Sequence, residues 1–158
     1  MVTQLPVRIE FRLPEGWLSA PPDEVDAPGA AFVALHPPAK DGFTANITIS
    51  GEHRPPETTL ETVADESVER LAKVVDEAEV LARADAGTED MPGLTQTLRL
   101  ASSAGDLVQC QVYLSMADVR DPARRAVIEL ALTSTAGEFE HEVGDFQEFV
   151  RGVRAAEE

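Results

Sequence analysis

Val7, Ile9, Phe11 and Leu13 alternate with Arg8, Glu10 and Arg12, a period of two that predicts a half-buried strand. Pro14-Glu15-Gly16-Trp17 then turns the chain, and three prolines between Ser19 and Gly29 predict an irregular loop. A second strand is expected over 31–36, stopped by Pro37-Pro38. Ala45, Ile47 and Ile49 alternate with Asn46, Thr48 and Ser50 as a third, ending near Gly51. These two should pair as a hairpin across 37–42.

The pattern then changes period. Leu60, Val63, Ala64, Val68, Leu71, Ala72 and Val75 fall on one face at helical spacing, with Glu61, Asp65, Glu66, Glu69 and Arg70 on the other. Thr58 and Glu61 have capping-box spacing, and the helix should end near Glu77. Strands follow at 80–84, 94–101, 108–116 and 126–135. Between them lie a polar loop over 85–93, a turn at Ser102-Ser103-Ala104-Gly105-Asp106, and a loop over 118–125 containing Asp121-Pro122. The longest clean alternation sets Val108, Cys110, Val112, Leu114 and Met116 against Gln109, Gln111, Tyr113 and Ser115. Phe139, Val143, Phe146, Val150 and Val153 form a closing helical stripe over 138–154. Three strands, a helix, four strands and a helix, joined by short turns, predict an α+β domain: a largely antiparallel sheet packed with two helices. A single domain spanning 1–158 is expected, with the first strand in the same sheet as the rest.

Charge narrows the partners. Thirteen basic against 29 acidic residues give −16, which argues against nucleic acid or an anionic membrane. No apolar run approaches a membrane span. The lone Cys110 excludes an internal disulfide and suits a reducing compartment. With no secretory pattern at Met1–Pro6, the expected location is the cytoplasm.

Catalytic and cofactor chemistry finds no foothold. No pair among His36, His53 and His141 has the i, i+4 spacing of a helical metal site, and nothing resembles H-E-x-x-H. There is no G-x-S-x-G elbow, dinucleotide fingerprint or P-loop. Cys110 lies on the apolar parity of its strand, where a thiol is inert. The expectation is a chain that is not an enzyme, with no catalytic residue, cofactor or metal.

Phe11-Arg12-Leu13-Pro14-Glu15-Gly16-Trp17, an F-x-L-P-x-G-W opening, is followed by a hairpin carrying Ala45-Asn46-Ile47-Thr48-Ile49. With a long helix, a meander and a C-terminal helix after it, the sequence resembles the PsbP-like α/β/α sandwich superfamily. Its short bacterial members, the LpqN-type lipoproteins and the Eag-type chaperones, are the most similar in flavour, although no lipobox is present here. The resemblance implies a non-catalytic binding scaffold and leaves the partner open.

Candidate contacts follow from parity. Gln109, Gln111 and Tyr113 share one strand face and should line up with Thr95, Thr97 and Arg99 on the neighbour, a polar row rich in donors and acceptors. Such a row is either a plain solvent-facing side or a recognition face like that by which Eag-type chaperones hold helices. Trp17, the only tryptophan, is either a core anchor with a locally satisfied indole N–H or a partner contact. The loops 19–29 and 118–125, the second with Arg120, Arg124 and Arg125, are further surfaces. The leading function is an adaptor or chaperone-like module that binds a protein partner through the polar sheet face. The alternative is a sandwich that opens a small-molecule or lipid pocket between sheet and helices. An enzyme comes last. A homodimer that pairs its strand edges is compatible with the first two.

Overall fold

The computed structural model describes residues 5–21, 30–40, 43–89, 91–103, 105–117 and 123–155. Leu18–Ala20 (β2), Phe32–Lys40 (β3), Phe43–Arg54 (β4), Glu77–Gly87 (β5), Pro92–Ser102 (β6), Gly105–Ala117 (β7) and Arg125–Thr135 (β8) form one sheet. Their order is β2-β3-β4-β8-β7-β6-β5, with every neighbour antiparallel. Leu60–Ala72 (α1) lies against β5, β6 and β7, while Phe139–Arg151 (α2) lies against β8 and β7.

The two helices take opposite faces because β7 offers both. Cys110, Val112, Leu114 and Met116 belong to the main core with Ile128, Leu130, Leu132, Phe146 and Phe149. Tyr113 points the other way, into a smaller cluster with Val63, Ala64, Leu94 and Val127 beneath α1. A strand buried on both sides has no solvent face, and that decides the fate of its polar residues.

The opening strand is where expectation and structure part. Only Ile9–Glu10 (β1) is extended and paired, and it pairs with Arg154–Ala155 (β9) in a separate two-stranded sheet. Its alternation is real nonetheless. Val7, Ile9, Phe11 and Leu13 pack on the main core, with Phe11 edge-on to Phe32 at 4.9 Å and Phe149 at 5.5 Å. Period two records which side of a segment is buried, not which strand lies beside it.

Smaller differences have local causes. The N-cap of α1 is Thr59, whose Oγ1 accepts from the Thr62 N–H at 3.1 Å, one residue beyond the expected Thr58. The helix ends at Ala72 rather than near Glu77, because β5 begins at Glu77 and extends to Gly87. The segment after Trp17 begins with edge strand β2; residues 22–29 of the expected loop, and 118–122 with Arg120, lie outside the described residues. No helix among the described residues is long and apolar enough to cross a membrane.

Candidate functional site

Parity across the β6–β7 hairpin splits the expected polar row in two. Ser102 lies opposite Gly105, so each even-numbered β6 residue faces an odd-numbered β7 residue: Gln96 meets Gln111, Leu94 meets Tyr113 and Leu98 meets Gln109. Thr95, Thr97 and Arg99 instead pair with Val112, Cys110 and Val108, on the α2 side. The expected alignment of Arg99 with Gln109 and Gln111 is therefore corrected by one residue of register, which moves a side chain to the other face.

The α1 half of the row is not an open surface. Gln96, Gln111 and Tyr113 are each 1% exposed, so the expectation of a solvent-facing row is overturned at Gln111 and Tyr113. Ser67 explains how a helix can cover amides. It stands on the buried face of α1 and accepts from Gln111 Nε2 at 3.0 Å. Gln111 Nε2 also donates to Gln109 Oε1 at 2.6 Å, and Gln96 Nε2 donates to Gln111 Oε1 at 2.7 Å and to the Ala64 carbonyl at 3.2 Å. Arg83 caps the row on Gln96 Oε1 at 2.8 and 3.0 Å and reaches Asp65 at 2.9 Å. At the other end the Tyr113 hydroxyl lies 2.6 Å from Glu129 Oε1, and Ser50 Oγ donates to Glu129 Oε2 at 3.1 Å. Gln109, half-buried, donates to Thr133 Oγ1 at 2.8 Å. A network this closed holds α1 on the sheet; its members are spoken for.

The α2 half is open. Across β5 the same parity brings Glu79 beside Arg99, Ala82 beside Thr97 and Ala84 beside Thr95. Because α2 covers β8 and β7, these β5 and β6 side chains remain half-buried or exposed. Next to them runs a groove of about 400 Å³ between the sheet and α2, floored by Thr95, Cys110 and Val112 and walled by Phe146, Val150 and Arg151. Farther along β6, beyond the groove lining, Arg99 meets Glu79 at 3.2 Å, Glu77 at 3.8 Å and Asp106 at 3.9 Å. The open face thus carries an apolar groove with Arg151 at its wall and, farther along β6, three acids gathered around Arg99.

Cys110 sits in that floor. Burial pushes its thiol pKa up, against smaller opposing hydrogen bonds from Thr95 and Thr97. At neutral pH it is the unreactive thiol. A thiol reagent such as DTNB is expected to label native protein far more slowly than urea-unfolded protein; equal rates would place Cys110 at the surface.

A third cluster joins β3 to α2. Trp17 is 5% exposed, and its indole N–H donates to Asp145 Oδ2 at 3.0 Å, a partner 128 residues away rather than a local one. Its ring stacks on His36 at 4.7 Å, and His36 Nδ1 lies 2.6 Å from Glu142 Oε2. Gly16 makes room: its φ is +92°, and a Cβ there would stand 3.2 Å from His36 Nε2. Proximity in sequence could not reveal this group, since its members come from the first turn, β3 and α2. Of the two basic candidates among the described residues, Arg124 is exposed, and Arg125 belongs to β8 and bonds Ser115, with Nε to Oγ at 3.0 Å.

No protein-family model matches the sequence, and no curated protein matches it. Solved structures do resemble it. LpqN of Mycobacterium tuberculosis, involved in cell envelope biogenesis, superposes with a TM-score of 0.72 at 10% identity, over 94% of this chain and 83% of its own. The cyanobacterial PsbP of Synechocystis gives 0.61 at 15%, over 94% and 86%. The Ran-binding protein Mog1p of Saccharomyces cerevisiae gives 0.57 at 13%, over 93% and 89%. Identity this low carries architecture and nothing finer. That architecture, one antiparallel sheet between two helices, is the PsbP-like α/β/α sandwich fold, and it is the fold of this chain.

Proposed function

We propose that this chain is a non-catalytic binding module, adaptor or chaperone-like, that receives a segment of a protein partner on the open α2-side face of β5 and β6. One observation carries the reading: α2 covers β8 and β7 and leaves Ala82, Ala84, Thr95, Thr97 and Arg99 beside an apolar groove. A segment laid along α2 would cover the groove floor and place its polar side on the threonines. The acids gathered around Arg99 on the same face and the −16 net charge favour a partner with basic residues flanking its apolar ones. Mog1p, a Ran-binding protein, shows that this scaffold serves protein recognition elsewhere. Of the contacts read from sequence, Arg99 belongs to this surface, and Gln111 and Tyr113 support it from beneath α1. The reduced single thiol suits work in the cytoplasm.

The groove also favours a second reading, a small amphiphile with its tail on Val112 and Phe146 and its anionic head at Arg151. One experiment separates the two. A photo-crosslinking residue replaces Ala84 on the open face or, as control, exposed Glu69 on α1. Discrete protein adducts are expected from position 84 in native lysate, absent from 69 and lost when Thr97→Arg fills the face. Identical adducts from both positions would remove the open face as the site. A stoichiometric small ligand in native mass spectra, without protein adducts, would put the second reading in its place.

A further inference from the structure

We propose that His36, Glu142 and Asp145 form a binding site for a first-row divalent cation, for which Zn²⁺ is the natural probe. The ligand atoms of the three residues all lie within 4.8 Å of one another. Glu142 and Asp145 are three residues apart on α2 and so share a face, while His36 comes from β3 opposite. Two regular elements therefore fix the donors, as a site of defined geometry requires.

The chemistry of the set is selective. One imidazole nitrogen and two carboxylate oxygens suit zinc and its first-row neighbours, whereas Mg²⁺ and Ca²⁺ demand six or more oxygens. Four-coordinate zinc at its usual bond lengths holds its ligands about 3.4 Å apart, a spacing that falls between the 2.6 Å of His36 Nδ1 to Glu142 Oε2 and the 4.8 Å that bounds the set, so the first pair must part by just under ~1 Å and the wider separations must close. The His36 side chain is 29% exposed and that of Glu142 only 8%, which gives the cation an entrance on one side and a buried carboxylate behind.

What distinguishes this group from the many exposed acids of a −16 chain is its support. The Trp17 indole N–H fixes one Asp145 oxygen at 3.0 Å, the kind of outer hydrogen bond that orients a ligating carboxylate. The same indole stacks on the His36 ring with an interplanar angle of 19°, which restricts rotation of the imidazole, and the missing side chain at Gly16 leaves space beside the ring's far nitrogen. Without a cation, His36 Nδ1 and Glu142 Oε2 are hydrogen-bonded at 2.6 Å. A cation between the two atoms would replace that hydrogen bond. The ordinary alternative is a His–Glu ion pair beside a Trp–Asp hydrogen bond, with no affinity for metal.

The sequence expectation of no metal site considered only donors close in sequence, and His36 and Glu142 are 106 residues apart. Because Trp17 is the only tryptophan and touches two of the three donors, its emission reports the site directly. Metal-stripped protein would be titrated with Zn²⁺ in excess Mg²⁺, which occupies the surface carboxylates. The expected result is a saturable emission change and a calorimetric stoichiometry of one, with Kd about 10 μM or tighter. Asp145→Asn keeps an oxygen to accept from Trp17, and His36→Gln keeps an N–H to give Glu142. Both should fold, and both should weaken binding at least about tenfold. Co²⁺ supplies a test free of substitution: intense visible bands of a four- or five-coordinate ion are expected in the unaltered chain. The proposal is overturned by any of three results: no saturable Zn²⁺ signal, unchanged affinity in the two variants, or the weak spectrum of hexaaqua Co²⁺.

Discussion

Replacing Phe146 by alanine is expected to destabilise the protein by about 3–5 kcal/mol, enough to lower the melting temperature by roughly 10 °C. Phe146 is 1% exposed at the centre of the α2 stripe, packed parallel to Phe149 at 6.4 Å and set over the β7 side chains of the main core. Its removal opens a void between helix and sheet that neither can collapse to fill, because β7 and β8 are pinned by neighbours on both edges. The lost transfer free energy and the cavity add. Phe146→Leu retains most of the volume and should cost less than about 1.5 kcal/mol. Urea denaturation gives both values from the shift in midpoint. An unmoved midpoint for the alanine variant would mean that α2 is not part of the cooperative core, and the groove beside it would lose its wall. In the intermediate case the truncated ring enlarges the groove, so partner binding and stability should respond in opposite directions. Phe146→Ala is for that reason a poor probe of function and a good probe of architecture.

Local chemistry made much of this fold readable in advance. Strand β7 announces itself because alternation at Val108 to Met116 depends only on neighbours two residues away, and α2 because its stripe repeats every turn. The hairpin turns follow from the same short range. Long-range choices left no such mark. Nothing in Val7 to Leu13 says that β1 will pair with Arg154–Ala155 instead of joining the large sheet. Nothing in Ser102 to Asp106 fixes whether Gln96 or Thr97 stands opposite Gln111, and one residue of register exchanges a buried face for an open one. A serine within the apolar face of α1 carries the clue to the covered amides. In a helix stripe of valine and alanine, Ser67 is a buried polar group that must find a partner. Read that way, it points to polar residues on the sheet below. The His36–Glu142 and Trp17–Asp145 contacts span 106 and 128 residues and leave no signal in a single sequence.

Tyr113→Ala should be about as damaging as the loss of Phe146, again about 3–5 kcal/mol, and for a reason that separates structure from recognition. Tyr113 is 1% exposed beneath α1, with its hydroxyl 2.6 Å from Glu129 Oε1 and 2.9 Å from Gln111 Oε1. The alanine variant removes the ring from the small core and the donor from a half-buried carboxylate. Tyr113→Phe keeps the ring and removes only the donor, so its cost should be about 1–2 kcal/mol. If the residue acted chiefly as an exposed contact, both variants would leave the urea midpoint unmoved.

The same side chain predicts a pH signature. Burial, and then the charge of Glu129 and the hydrogen bond to it, push the phenol pKa well above its ordinary value. The folded chain thus holds this proton more tightly than the unfolded chain does. The associated stability is fully present below the ordinary tyrosine pKa of about 10 and is lost as pH rises toward the raised folded value. Tyr113 is the only tyrosine, so near-ultraviolet phenolate absorbance reports it alone. Its ionisation should coincide with alkaline unfolding followed by circular dichroism, and Tyr113→Phe should abolish the absorbance change while shifting the unfolding. A phenolate that forms at ordinary pH in a protein still folded would mean that water reaches the hydroxyl. The closed network under α1 would then have to be redrawn as an accessible polar face.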